Sequence, residues 1–229
     1  MAYSWILFDV DDTLLDFPAC EAWSLERTFP PLGIPLNNET RAAYHTANRQ
    51  VWAELEQGVI NSHELRSRRF RLCFKVLGLN ADPVLAGSIF TANLAQTHFY
   101  VPHALEVVNL LSRSYRLAVV TNGLAEVQHA RLAQSAFKGC FEQVFVSEEL
   151  GAAKPSPRFF DRVFATIDYP PLAQVLIVGD SLASDMQGGI NYGIDCCWYN
   201  PRQADSDLAI TYNIQSLAQL PVILERCSS

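Results

Sequence analysis

The chain has 229 residues, 49% of them hydrophobic and 18% charged, with a formal net charge of −7. This is the balance of a globular protein large enough for one sizeable core, or a core with a smaller inserted unit, and it excludes a disordered or fibrous chain. The acidic excess also excludes a surface that holds nucleic acid or anionic lipid by charge alone, so an anionic ligand needs local cations.

From the N-terminus, the apolar run Trp5-Ile6-Leu7-Phe8 is broken at Asp9, after too few residues to span a membrane, and no basic stretch precedes it. A secretory signal is therefore not expected, and a cytoplasmic protein is. Similar short runs without helical period recur at Leu117 to Val120, Val144 to Val146, Val175 to Val178 and Cys196 to Tyr199. Each closes on a polar residue or a glycine, the mark of strands buried on both faces of a parallel sheet. Helical spacing fills the gaps: Leu105, Val108 and Leu111; Val127, Ala130 and Leu132; Phe159 or Phe160, Val163, Phe164 and Ile167. Ser156-Pro157 reads as the N-cap and first position of the last of these helices. Strands alternating with helices predict an α/β fold, a doubly wound, Rossmann-like parallel sheet.

Residues 17–98 interrupt the alternation. No buried strand is evident there, apolar residues recur at helical spacing (Trp52, Leu55; Leu65, Phe70, Leu72, Phe74, Leu77), and glycine and proline punctuate the stretch. The expected organisation is a core domain of residues 1–16 and 99–229 with a helical cap of residues 17–98. The insert carries 8 Lys+Arg against 7 Asp+Glu and the remainder 9 against 17, so the acidic character belongs to the core. Within the insert, Arg66, Arg68, Arg69 and Arg71 read as a solvated helix face paired with glutamates such as Glu64, or alternatively as supplying one arginine to a cleft. Trp52, Phe70 and Phe74 read as cap core, with stacking on a base as the alternative use of one ring. The six cysteines (Cys20, Cys73, Cys140, Cys196, Cys197, Cys227) show no CxxC pair and read as reduced, mostly buried thiols.

In an open parallel sheet, ligands bind beyond the carboxyl ends of the strands. The first strand ends in Asp9-Val10-Asp11-Asp12-Thr13, the second in Thr121-Asn122-Gly123 and the fourth in Gly179-Asp180, with Asp185 five residues on; Lys154-Pro155 follows the third. Each piece alone has a plain reading: a solvated acidic loop, an ordinary turn, a surface lysine, a helix N-cap. All four at strand ends, in this order, point instead to phosphoryl transfer. There, carboxylates and a divalent metal offset each other, and a lysine with hydroxyl and amide donors grips phosphate oxygens. Phosphate monoester hydrolysis requires accelerations up to ~10²¹, and general acid–base catalysis supplies only ~10²–10⁴. A covalent step and strong electrostatic stabilisation are needed for the rest.

Asp9-Val10-Asp11-Asp12-Thr13-Leu14, Thr121-Asn122-Gly123, Lys154-Pro155 and Gly179-Asp180 through Asp185 resemble the four motifs of the haloacid dehalogenase superfamily of phosphohydrolases. The resemblance implies that Asp9 is the nucleophile, forming an aspartyl-phosphate, and that Asp11 protonates the leaving alcohol and then activates water. It further implies Mg²⁺ held by the Asp9 carboxylate, the Asp11 backbone carbonyl and Asp180, with Asp185 supporting them from behind. Thr121, the Asn122 and Gly123 amides and Lys154 would bind the phosphoryl group. Asp12 departs from the family, which commonly has glycine there, and its side chain is expected to point away from the metal. Asp16 is assigned to the loop leading into the cap.

The segments SWILFDVDDTLLDF, VWAELEQGVINSHELRSRRF, SEELGAAKP and GDSLASDMQGGINYGIDCCWYN carry a closer resemblance, to bacterial pyrimidine 5′-nucleotidases that dephosphorylate noncanonical nucleoside monophosphates. That implies a small phosphate ester as partner, with no nucleic acid polymer and no membrane, and a monomer or weak homodimer. A sugar-phosphate phosphatase is the alternative within the superfamily. Carbon–halogen cleavage is disfavoured because dehalogenases typically lack an acid at the position of Asp11. A signalling receiver module is disfavoured because the third strand ends Val146-Ser147 without an aspartate.

Overall fold

The computed structural model describes residues 3–228. In chain order its main elements are β1 (Trp5–Phe8), α1 (Phe17–Thr28), α2 (Asn38–Glu56), α3 (Ser62–Leu77), α4 (Pro83–Leu94), α5 (Ala104–Leu111), β2 (Arg116–Thr121), α6 (Ala125–Gln134), β3 (Gln143–Val146), α7 (Ser147–Leu150), α8 (Pro157–Thr166), β4 (Val175–Gly179), α9 (Gln187–Tyr192), β5 (Asp195–Tyr199), β6 (Tyr212–Ile214) and α10 (Leu220–Ser228). The chain divides into two compact units, one running to Phe17 and resuming at His98, the other Pro18–Thr97.

The first unit is built on a sheet of order β3-β2-β1-β4-β5-β6, parallel throughout. Side chains of a strand alternate between faces. Ile6 and Phe8 therefore join Leu117, Val119, Leu176 and Val178 under α5 and α10, whereas Trp5 and Leu7 join Ala118, Val120, Val175 and Ile177 under α8. Both faces are covered, which is why these strands read as unbroken apolar runs rather than alternating ones. The spacing in α8 puts Phe159, Phe160, Val163 and Phe164 on one buried stripe. Ser156 does occupy its N-cap position with Pro157 inside the first turn, but the serine side chain makes no capping hydrogen bond.

The second unit is helical. Its starts carry the caps that local chemistry provides: Asn37 accepts from the Thr40 amide, Asn61 and Glu64 form a reciprocal capping box, and Asp82 accepts from the Val84 and Leu85 amides. The core is aromatic, with Phe29, Tyr44, Phe70, Phe74 and Phe90 meeting edge-on or tilted at centroid separations of 5.5–6.2 Å. Within the basic run Arg71 is exposed and Arg66 and Arg68 are partly exposed, as a solvated face requires, but Arg69 departs from it. Arg69 is 2% exposed, donates to Asn48 Oδ1 at 3.1 Å and lies 5.2 Å over the Phe90 ring. Its spacing of four from Leu65 and Cys73, both buried, puts it on the core stripe. Arg68 pairs with Glu54, and Glu64 forms the capping box with Asn61. Phe70 and Phe74 are core; Trp52 is only partly buried. Cys20, Cys73, Cys196 and Cys197 are buried thiols, Cys140 is partly buried, and the side chain of Cys227 lies outside the described residues.

Candidate active site

The sheet order reverses direction between β1 and β4: the chain builds outward through β2 and β3, then returns to the other side of β1. A crevice opens beyond the strand ends at such a reversal. Phe8 pairs with Val119 on one side and Val178 on the other, and the Asp9 amide continues the ladder to the Val178 carbonyl at 2.9 Å. Asp9 thus leaves the central strand where the β2 and β4 ends flank it.

The aspartates crowded after β1 go to different destinations. Asp9, 8% exposed, faces Lys154. Asp11 turns towards α6. Asp12 takes the left-handed conformation (φ 61°), where its Oδ1 accepts from the amide of Phe17, the first residue of α1, at 3.1 Å. Glycine is at home at such a φ, and a short polar side chain that bonds locally is the substitute the backbone tolerates best. Asp12→Ala is expected to cost about 2 kcal/mol, since it keeps the strain and loses the hydrogen bond. Asp12→Gly should cost about half of that, a ranking that urea denaturation of the two variants checks.

Lys154 is no surface lysine. It is 3% exposed, and its ammonium donates to Asp9 Oδ1 at 2.7 Å, Asp185 Oδ1 at 2.6 Å and the Val120 carbonyl at 2.7 Å, one acceptor for each of its protons. Its backbone is clamped by Asn122, whose side-chain amide donates to the Lys154 carbonyl and accepts from the Lys154 amide, both at 2.9 Å. Asp185, fully buried on a π-type turn (Leu182–Met186), also accepts from the Ser181 amide at 3.1 Å. Gly179 makes room for it: a Cβ at that position would overlap the Asp185 carboxylate. Asp180 is held by its carbonyl, which accepts from the Trp198 indole at 2.8 Å, and Thr13 Oγ1 donates to its Oδ1 at 3.4 Å.

Thr121 ends β2 with its hydroxyl accepting from the Gly123 amide at 3.1 Å, so that amide is already engaged. Two residues that sequence reasoning missed complete this side. Gln128 Nε2 donates to Asp11 Oδ2 at 2.6 Å and to Thr121 Oγ1 at 3.2 Å, and Arg131 Nη1 donates to Asp11 Oδ1 at 2.6 Å. Their available signal was a spacing of three on the helix that follows the Thr121-Asn122-Gly123 turn.

Asp9, Asp180 and Asp185 each offer an oxygen within 4.8 Å of the others. Burial pushes the Asp9 carboxyl well up; Lys154 pulls it back, while Asp185 and Asp180 add to the rise. Asp180 is pushed up to about 7, by burial first and then by the charge of Asp185. For Lys154, burial alone acts downward, but Asp185 and Asp9 outweigh it, and the ammonium is held more firmly than in water. Three carboxylates against one ammonium leave an excess of negative charge, and every donor is an oxygen. This set fits a hard divalent cation such as Mg²⁺.

A sheet of this topology with such a constellation defines a hydrolase class, and the family model "haloacid dehalogenase-like hydrolase" matches residues 3–193. The chain belongs to that family. Among full-length relatives, the HAD-hydrolase YfnB of Bacillus subtilis is 37% identical over 97% of this chain and 95% of its own. Its magnesium-bound orthorhombic crystal structure, which reveals interdomain movement, superposes with a TM-score of 0.90 at 36% identity, covering 98% of this chain and 99% of that one. Pyrimidine 5′-nucleotidase YjjG of Escherichia coli is 30% identical over 98% of this chain and 99% of its own. Pyrimidine 5′-nucleotidase PynA of Streptococcus pneumoniae is 34% identical over 99% and 97%. Among the described residues no helix is long and apolar enough to cross a membrane.

Proposed function

We propose that the protein is a Mg²⁺-dependent phosphomonoesterase acting through an aspartyl-phosphate on Asp9, with pyrimidine nucleoside 5′-monophosphates as its preferred substrates. The observation that carries the chemistry is the buried lysine bridging Asp9 and Asp185, with Asp180 beside them at the sheet reversal. Asp9, Asp180 and the Asp11 carbonyl would hold the metal, with Asp185 fixing Lys154 behind them. When bound, Mg²⁺ offsets carboxylate and phosphate charge, so that an anionic nucleophile can approach an anionic ester.

An oxygen of Asp9 forms a bond to phosphorus while the phosphorus–oxygen bond to the alcohol breaks, and Asp11 gives its proton to the departing oxygen. Water then attacks phosphorus in the acyl phosphate, Asp11 takes a proton from it, and the Asp9 carboxylate is restored. Lys154 fixes the rotation of the Asp9 carboxylate, and with Thr121 and the turn at Asn122-Gly123 it lies within the part of the fold that would meet the phosphoryl oxygens.

The substrate assignment is supported by YjjG and PynA, both pyrimidine 5′-nucleotidases, similar to this chain over its full length. We assign discrimination to the helical cap, because the core chemistry addresses only the phosphoryl group. The test is kcat/KM for a uracil monophosphate, its purine counterpart and a hexose phosphate under identical Mg²⁺. The uracil monophosphate is expected to lead, with activity lost in excess chelator. A tenfold lead for the hexose phosphate, about 1.4 kcal/mol in transition-state binding, overturns the nucleotidase reading and leaves the phosphatase reading standing. Full activity in chelator overturns the metal-dependent mechanism.

A further inference from the structure

The first unit contains a fully buried arginine that the four motifs do not account for. Arg131 is 0% exposed and Gln128 1% exposed, on α6 beneath the end of β2. Placing a guanidinium there costs desolvation, and one of its partners is itself partly exposed. That partner is Asp11, whose side chain is 29% exposed. The two donors divide its carboxylate between them, Arg131 on Oδ1 and Gln128 on Oδ2, each at 2.6 Å, and they face each other at 3.5 Å through Arg131 Nη1 and Gln128 Oε1. The same Gln128 amide reaches Thr121 Oγ1, so one side chain ties Asp11 to the end of β2.

Gly123 belongs to the same device. A Cβ there would overlap the Gln128 amide, so the turn after β2 is kept bare where glutamine passes. Gln128 and Arg131 thus converge on one carboxylate from the helix side, with Gly123 leaving the space through which Gln128 reaches it. An aspartate on a turn otherwise distributes among staggered rotamers. Misplacing a reacting group by about 1 Å can cost ~10²-fold in rate.

We propose that Gln128 and Arg131 are positioning residues that hold the Asp11 carboxylate in the orientation from which it serves the leaving group. This rests on the reading of Asp11 as the acid/base. The experiment compares a nucleoside monophosphate, with a basic alkoxide leaving group, and p-nitrophenyl phosphate, with an acidic phenol. It uses Gln128→Ala, Arg131→Met, Arg131→Lys and Asp11→Asn, together with the double variants that combine Asp11→Asn with each of the others. Gln128→Ala and Arg131→Met are expected to lower kcat on the nucleotide by ~10–100-fold, up to the lower end of what general acid catalysis supplies, and by less than about threefold on the aryl ester. Arg131→Lys recovers part of the loss, and in the Asp11→Asn background the further substitutions change nothing.

Equal losses on both esters, or losses that persist undiminished in the Asp11→Asn background, overturn the proposal, because a structural role needs no Asp11 to act through. Gln128→Ala decides the matter if Arg131→Met does not fold. If Asp11→Asn itself lowers both esters equally, the acid/base reading fails, and the inference with it. That result is distinct from a selective Asp11→Asn accompanied by unselective Gln128 and Arg131 variants, which sinks the inference alone.

Discussion

Lys154→Met is expected to lower the melting temperature in magnesium-free buffer by roughly 10 °C and to abolish turnover. The methionine fills much of the same space, so the loss is electrostatic: Asp9 and Asp185, 8% and 0% exposed, face each other without the ammonium that bridged them, and the Val120 carbonyl loses its donor. Removing one partner of a buried ion pair costs about 3–5 kcal/mol, and in a protein of this size each kcal/mol is worth about 2–4 °C. The double variant Lys154→Met with Asp185→Asn should recover part of the stability, since it withdraws one of the stranded charges, without recovering activity. A melting temperature within 3 °C of the parent would mean that the lysine's ion pairs contribute nothing to the native state.

Asp9→Asn is expected to reduce phosphate release by at least ~10³-fold, because the amide occupies the same volume and cannot form the acyl phosphate. It should do so without unfolding the protein. The amide oxygen can still accept from the Lys154 ammonium, which keeps Asp185 as its counter-charge, and burial already opposes the ionised form of Asp9. The melting temperature in chelator should therefore stay within about 2 °C of the parent or rise. Phosphate release at a tenth or more of the parent rate, in protein free of reverted or deamidated Asp9, would remove this residue from the chemistry.

These two outcomes bear on residues that were legible before any coordinates. Trp5 to Phe8 and Val175 to Val178 declared themselves as strands because both faces of the sheet are covered, which leaves no polar alternation to confuse the pattern. Their ends then named Asp9 and Asp180. β6 escaped because Tyr212–Ile214 is three residues long and buries only Ile214, too little apolar surface to stand out from a turn. The burial of Lys154 is something no local pattern carries, because its three acceptors come from residues 31 to 145 positions away.

Arg69 and Arg131 show the same limit from the other side. Both are arginines that a composition rule sends to the surface, yet both are buried, and in each case a compensating group is supplied by a distant segment. For Arg69 the helical spacing with Leu65 and Cys73 was a usable clue. Gln128 and Arg131 lie four residues from Leu132 and Val127, a clue of the same kind to burial, but no local pattern ties them to Asp11. Asp11 itself was named from its motif, but what holds it was not, because a motif specifies reacting groups and says little about the side chains that aim them.

The covalent pathway is tested most directly by the stereochemical course at phosphorus, using a phosphorothioate monoester made chiral at phosphorus with two oxygen isotopes and hydrolysed in water of the third. Two in-line displacements, the first by Asp9 and the second by water, each invert the centre, so the account predicts net retention in the released thiophosphate. Net inversion would mean a single displacement by water, and would contradict it.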